Sequence, residues 1–148
     1  VNNAPYIFLQ NGEESDEAFL LAVMSSIPFD WLARHHVEIH LNIFILNSLP
    51  FPLASADSQH KSELQILAAR LAAIDDRYSD WSKKSGLEFG SINSEEQKQD
   101  AIYRIEALVE YLCGLDEDDI QVIFETFHQG WDYMPRLEAV MTHFRSLQ

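Results

Sequence analysis

From position 64 onward, apolar residues recur at helical spacing in one segment after another, and this periodicity commits most of the chain to helices that share a core. Leu64, Leu67, Ala68, Leu71, Ile74, Tyr78 and Trp81 mark one face of a long helix predicted over 58–84 and ending near Gly86. Ile102, Ile105, Leu108, Val109 and Leu112 mark the next. Its start is signalled by a capping box, Asn93 with Glu96 or Ser94 with Gln97, and its stop by Gly114. Asp116 caps a third helix carrying Ile120, Ile123, Phe124 and Phe127, and a fourth runs from about Pro135 to Leu147. Four amphipathic helices with short connections predict a bundle or hairpin array over 54–148.

The first part, 1–53, reads differently. Tyr6 to Gln10 is aromatic and β-branched and precedes the turn-like Asn-Gly-Glu-Glu-Ser, which suggests a short strand. Ser15 or Asp16 then caps a helix whose apolar face is Phe19, Leu20, Val23 and Met24. Pro28 suits the first turn of a second helix, Phe29 to about Val37. From Ile39 the period changes, and 40–46 is expected as a strand or a buried extended loop. Leu-Pro-Phe-Pro at 49–52 excludes helix, because each proline pushes its predecessor into an extended conformation, and 50–58 reads as a linker. The expected fold is therefore mainly α, an amphipathic helical bundle with a short, strand-containing N-terminal part.

Composition narrows the function. The net charge of −14, from 24 acidic against 10 basic residues, opposes tight binding to a polyanion by charge alone. The imbalance is uneven: residues 1–56 hold six acids and one arginine, but also the three clustered histidines. That segment is the surface least hostile to nucleic acid. The single cysteine, Cys113, cannot form an internal disulfide, and it reads as a small core residue in a cytoplasmic protein. No run approaches the roughly eighteen apolar residues of a membrane span, so no membrane partner is expected. There is no basic-then-hydrophobic leader, and the chain enters Asn-Ala-Pro-Tyr-Ile-Phe directly, as an excerpt from a longer polypeptide would.

No active site emerges from the residues themselves. His36 and His40 are four apart and would share a helix face, but position 37 is Val where a zinc-protease motif has Glu, so no metal site is expected. A nucleophile elbow and a phosphate-cradling glycine loop are both lacking. Asp75/Asp76 and Asp116 to Asp119 fall at helix ends, where capping explains them. Tyr78, Trp81, Tyr103 and Tyr111 fall at core spacing; Trp131 and Tyr133 sit in a loop, as a contact surface or packed over the bundle end.

Two stretches nonetheless carry a likeness. Leu21, Ser26, Pro28, Phe29, Asp30, Trp31 and Arg34, followed by His40, Leu41, Asn42, Phe44, Leu49, Pro50 and Pro52, make the first. Ala107, Leu108, Val109, Tyr111, Leu112, Gly114, Leu115, Asp119, Ile120, Phe124 and Phe127 make the second. Together they resemble the C-terminal region of large adenine-N6 DNA methyltransferases of restriction–modification and phage-defence systems, over about residues 15–128. In that family a Rossmann-like domain binds S-adenosylmethionine and an Asn/Asp-Pro-Pro-Tyr/Phe motif methylates a flipped-out adenine. Neither that motif nor a glycine-rich cofactor loop is in this sequence. The resemblance thus implies a non-catalytic fragment without a cofactor of its own. Its role would be target recognition and scaffolding for an upstream methyltransferase domain, with double-stranded DNA as the shared partner.

On that reading Arg34, His35, His36 and His40 would face phosphate or a base edge, and the amides of Asn42 and Asn47 would read adenine. The alternatives are an ion pair of Arg34 with Asp30 or Glu38, and loop-stabilising roles for the two asparagines. The rival function for the whole chain is an acidic helical protein–protein interaction module with no nucleic-acid contact.

Overall fold

A computed structural model describes residues 12–37, 43–52, 58–86, 90–127 and 130–148. Every regular element among them is helical. In chain order these are α1 (Glu14–Met24), α2 (Ile27–His36), α3 (Ile43–Ser48), α4 (Ser58–Ala72), α5 (Ser79–Lys84), α6 (Glu95–Leu112), α7 (Glu117–Phe127) and α8 (Met134–Arg145), with a 3-10 turn at Asp76–Tyr78 before α5. None of the described helices is long and apolar enough to cross a membrane.

α6 is the axis of the packing. α4 and α8 lie along it, α1 packs on the far side of α4, and α2 bridges α6 and α7. Small side chains at the contacts, among them Ala18, Ala22, Ala68, Ala69, Ala101 and Ala107, are all buried and let the helix axes approach closely. Leu64, Leu108, Ile120, Phe124 and Val140 are fully enclosed at the centre. The buried cluster runs without interruption from Ala18 of α1, through Leu49, to Leu147 after α8.

The helix signals of α6 and α7 hold in detail. Ser94 Oγ accepts from the Gln97 amide at 3.1 Å, and the Asn93 amide donates to Gln97 Oε1. After α6 the Leu115 amide donates to the Glu110 carbonyl at 3.1 Å and the Gly114 amide to that of Tyr111 at 3.0 Å. This paired closure requires Gly114 at φ +73, a conformation that costs a side-chain-bearing residue free energy. Asp116 Oδ1 accepts from the Asp119 amide at 2.9 Å and caps α7.

Three expectations need correction. The long helix over 58–84 is broken: α4 ends at Ala72, the Ala73 carbonyl accepts from the Gly90 amide at 2.7 Å, and extended Asp75 caps the 3-10 turn through the Arg77 amide. Residues 43–48, expected within a strand or buried extended loop, are helical and exposed, with Ile43 59% and Phe44 83% accessible. An apolar run this short fits either period, and the local bonds from Ser48 Oγ to the Ile45 carbonyl and from the Leu49 amide to the Leu46 carbonyl decide it. α1 starts ahead of the expected cap: Asp16 lies inside the first turn, its carboxylate accepting from the Glu13 amide at 3.2 Å. The strand expected at 6–10 lies outside the described residues.

Candidate functional site

The residues singled out in the sequence converge on the C-terminal end of α2. Ser26, Ile27, Pro28, Phe29 and Ala33 are buried, which fixes the inner face of the helix and turns Arg34, His35 and His36 outward. Three basic side chains in a last turn also suit the negative end of the helix dipole. Asn47 is exposed on α3, which packs against α2. His40, Asn42 and Glu38 lie outside the described residues.

Arg34 has a partner. Its Nη2 donates to Asp30 Oδ2 at 2.8 Å and its Nε to Oδ1 at 3.1 Å, and the guanidinium lies 4.4 Å from the centre of the Phe127 ring. The Asp30 carboxylate raises the Arg34 pKa further, so the group is a permanent cation with its charge half-answered. His35 Nδ1 is 2.8 Å from the Trp31 carbonyl and His36 Nδ1 is 3.0 Å from that of Leu32. A carbonyl only accepts, so in both rings Nδ1 carries the proton and Nε2 is the second nitrogen left for an outside partner.

α2 itself is clamped to distant parts of the chain. The Trp31 indole donates to Thr126 Oγ1 of α7 at 2.7 Å. At the opposite end, the Ile27 amide donates to Glu106 Oε2 of α6 at 2.8 Å. Ile27 is the first residue of α2, where an amide has no acceptor inside the helix. The adjacent Ser26 side chain makes no capping bond to α2; its hydroxyl donates to the Val23 carbonyl at 2.7 Å.

Glu106 belongs to a buried acid cluster that the periodicity of α6 does not announce. Its second oxygen accepts from Arg136 Nη2 of α8 at 2.9 Å. Glu110, one turn on, is fully buried, and neither of its oxygens nor Arg136 Nε has a hydrogen-bond partner. Burial pushes the Glu106 carboxyl up to about 7 against the pull of the Ile27 amide and Arg136. Burial and then the charge of Glu106 push Glu110 up to about 9. Both residues directly follow a core position, Ile105 and Val109, and are enclosed because α6 is packed on several sides.

Beside the cluster, between α2, the Pro50–Pro52 segment and the ends of α6 and α7, lies an apolar groove of about 470 Å³ that includes Phe29, Trp31, Phe51 and Leu112. Cys113 lines it and is exposed, which corrects its expected place in the core. It caps α6, and packing around its sulfur, with Glu110 behind, pushes the thiol up to about 11. Among the described residues no group of three or more His, Cys, Asp or Glu side chains is placed to hold a metal ion. Trp131 stands exposed at 80%, and Tyr78 is also exposed where core spacing had suggested burial.

Comparison with protein-family models, with curated proteins and with solved structures finds no match to this chain.

Proposed function

We propose that the chain is a non-catalytic C-terminal part of an adenine-specific DNA methyltransferase of the restriction–modification type, contributing to DNA target recognition and to the scaffold that supports it. The observation that carries this reading is a convergence. The two stretches with the methyltransferase likeness are far apart in sequence, yet Arg34 of the first lies on the ring of Phe127 of the second, and Trp31 of the first bonds Thr126, which lies within the second. A likeness spread over one packed unit argues for a shared fold and use more strongly than two separate matches. DNA would meet the outward end of α2, where Arg34, His35 and His36 stand together; Asn47 on α3, with His40 and Asn42, would extend that contact. S-adenosylmethionine and the transfer chemistry would belong to an upstream domain of the parent enzyme.

A second reading has its own support. Arg34 is already paired with Asp30, the net charge is −14, and Phe44 and Trp131 are large exposed apolar side chains. These features suit an acidic module that docks on another protein.

Two measurements separate the readings. Duplex DNA affinity, followed by fluorescence anisotropy, should fall steeply between about 50 and 200 mM salt if α2 contacts phosphates. The coding frame upstream of Val1 should carry a glycine-rich cofactor loop and the Asn/Asp-Pro-Pro-Tyr/Phe motif. No DNA binding at low salt, with no such domain in frame, favours the protein-docking module.

A further inference from the structure

Three elements meet at the buried acids. Glu106 of α6 accepts from the first amide of α2 and from Arg136 in the first turn of α8, and Glu110 lies one turn away with no hydrogen-bond partner for either oxygen. Two carboxyls beside one half-buried guanidinium cannot both ionise without leaving a buried negative charge unmatched. One charge on the pair balances Arg136; two do not.

We propose that Glu106, Glu110 and Arg136 form a protonation-controlled latch, which holds the N-terminus of α2 on α6 and α8 while Glu110 is neutral and lets α2 detach when Glu110 ionises. The groups acting on the pair are few. Among the described residues, Arg136 comes from α8 and Cys113 from the end of α6, α2 contributes the Ile27 amide, and no side chain of α1, α4 or α7 adds a charge to either carboxyl. Burial separates the two titrations, with Glu106 near 7 and Glu110 near 9, so between them the pair carries the single charge that matches Arg136. Above that window a second charge enters a site with no further donor to receive it. The bond that Glu106 makes to Ile27 gives way first, because its donor is a neutral amide whereas the bond from Arg136 is charge-assisted.

The latch stands on this geometry alone; only its consequence for DNA contact, through Arg34, His35 and His36 on the same helix, rests on the function proposed above. Two indoles supply a test without DNA. Trp31 of α2 donates to Thr126, whereas Trp81 of α5 donates to Glu17 of α1 at 2.9 Å. Indole hydrogen exchange is measured by NMR on the full chain from pH 7 to 10 and expressed as protection factors. From pH 7 up to the Glu110 titration near 9, Trp31 protection is expected to fall about tenfold per pH unit and then to level off, while that of Trp81 holds. Glu110→Gln should abolish the fall, and Arg136→Gln should carry it to higher pH, because the guanidinium holds both carboxyls down. Loss of both indoles together means global unfolding and overturns the latch, as does an unchanged Trp31 or an undiminished fall in Glu110→Gln. If Glu110→Gln does not fold, the direction of the Arg136→Gln shift decides.

Discussion

The indole of Trp31 and the hydroxyl of Thr126 are joined at 2.7 Å across 95 positions of sequence, and Thr126 Oγ1 in turn donates to the Val122 carbonyl of its own helix. α2 is thereby tied to the backbone of α7 through one threonine. Thr126→Val keeps the shape and removes the acceptor. It is expected to cost about 1 kcal/mol, the usual net worth of one hydrogen bond. Urea denaturation checks this, and a double-mutant cycle with Trp31→Phe should show the two losses to be less than additive.

Arg34→Ala separates stability from function. The ion pair with Asp30 is on the surface and the contact with Phe127 is a single cation–π pair, so stability should fall by no more than about 1 kcal/mol. If α2 faces DNA, duplex affinity and its salt slope should both drop in the same variant. An unchanged affinity would remove Arg34 from the interface.

Glu106→Ala should be far more damaging than its position on a mostly polar helix suggests. It leaves the Ile27 amide without its acceptor and Arg136 without its carboxylate, at a cost of about 2–4 kcal/mol. Glu106→Gln retains an acceptor for Ile27 and should recover much of that, as read from urea midpoints.

Stability should fall as pH rises from 6 to 9. Glu106 at about 7 and Glu110 at about 9 both lie above their ordinary 4.5, so the folded chain retains protons that the unfolded chain releases. This contribution is complete below about pH 4.5 and is lost progressively from there, up to about pH 7 for Glu106 and about pH 9 for Glu110, by up to about 1.4 kcal/mol per pH unit for each proton retained. Exposed Glu14, Asp75 and Glu117, held low by Lys84, Arg77 and Arg145, act in the opposite sense only in acid, where solvent screens them. The double variant Glu106→Gln/Glu110→Gln should flatten the pH profile of the urea midpoint.

Cys113 should react slowly despite its exposure. A thiol raised from 9 to about 11 carries about a hundredfold less thiolate at pH 8, and the thiolate is the attacking form. Iodoacetamide labelling should therefore lag a free-thiol control by about that factor. Glu110→Gln should speed it only above about pH 9, where Glu110 carries the charge that opposes the thiolate.

The caps at Ser94, Gly114 and Asp116 were legible because each is a local contract between residues a few positions apart. So was the Asp30 to Arg34 pair, set by a spacing of four. The break after Ala72 was not, because it depends on Gly90 arriving to bond the Ala73 carbonyl. Nor was the helix at 43–48, where Ile-Phe-Ile-Leu supports both periods. The burial of Glu106 and Glu110 is tertiary in origin: nothing in α6 alone says that it is packed on so many sides. The sequence reading placed its candidate site at the C-terminal end of α2 and gave no sign of the acids that hold the other end.

Because Ser26 makes no capping bond to α2, the opening amide of that helix waits for an acceptor 79 positions downstream. On a ribosome adding 5–20 residues per second, Glu106 follows Ile27 by roughly 4–16 s. Throughout that interval Phe29 and Trp31 have left the peptidyl-transferase centre without the surface that covers them. A truncation ending before α6 should therefore yield a chain that aggregates rather than a smaller folded piece.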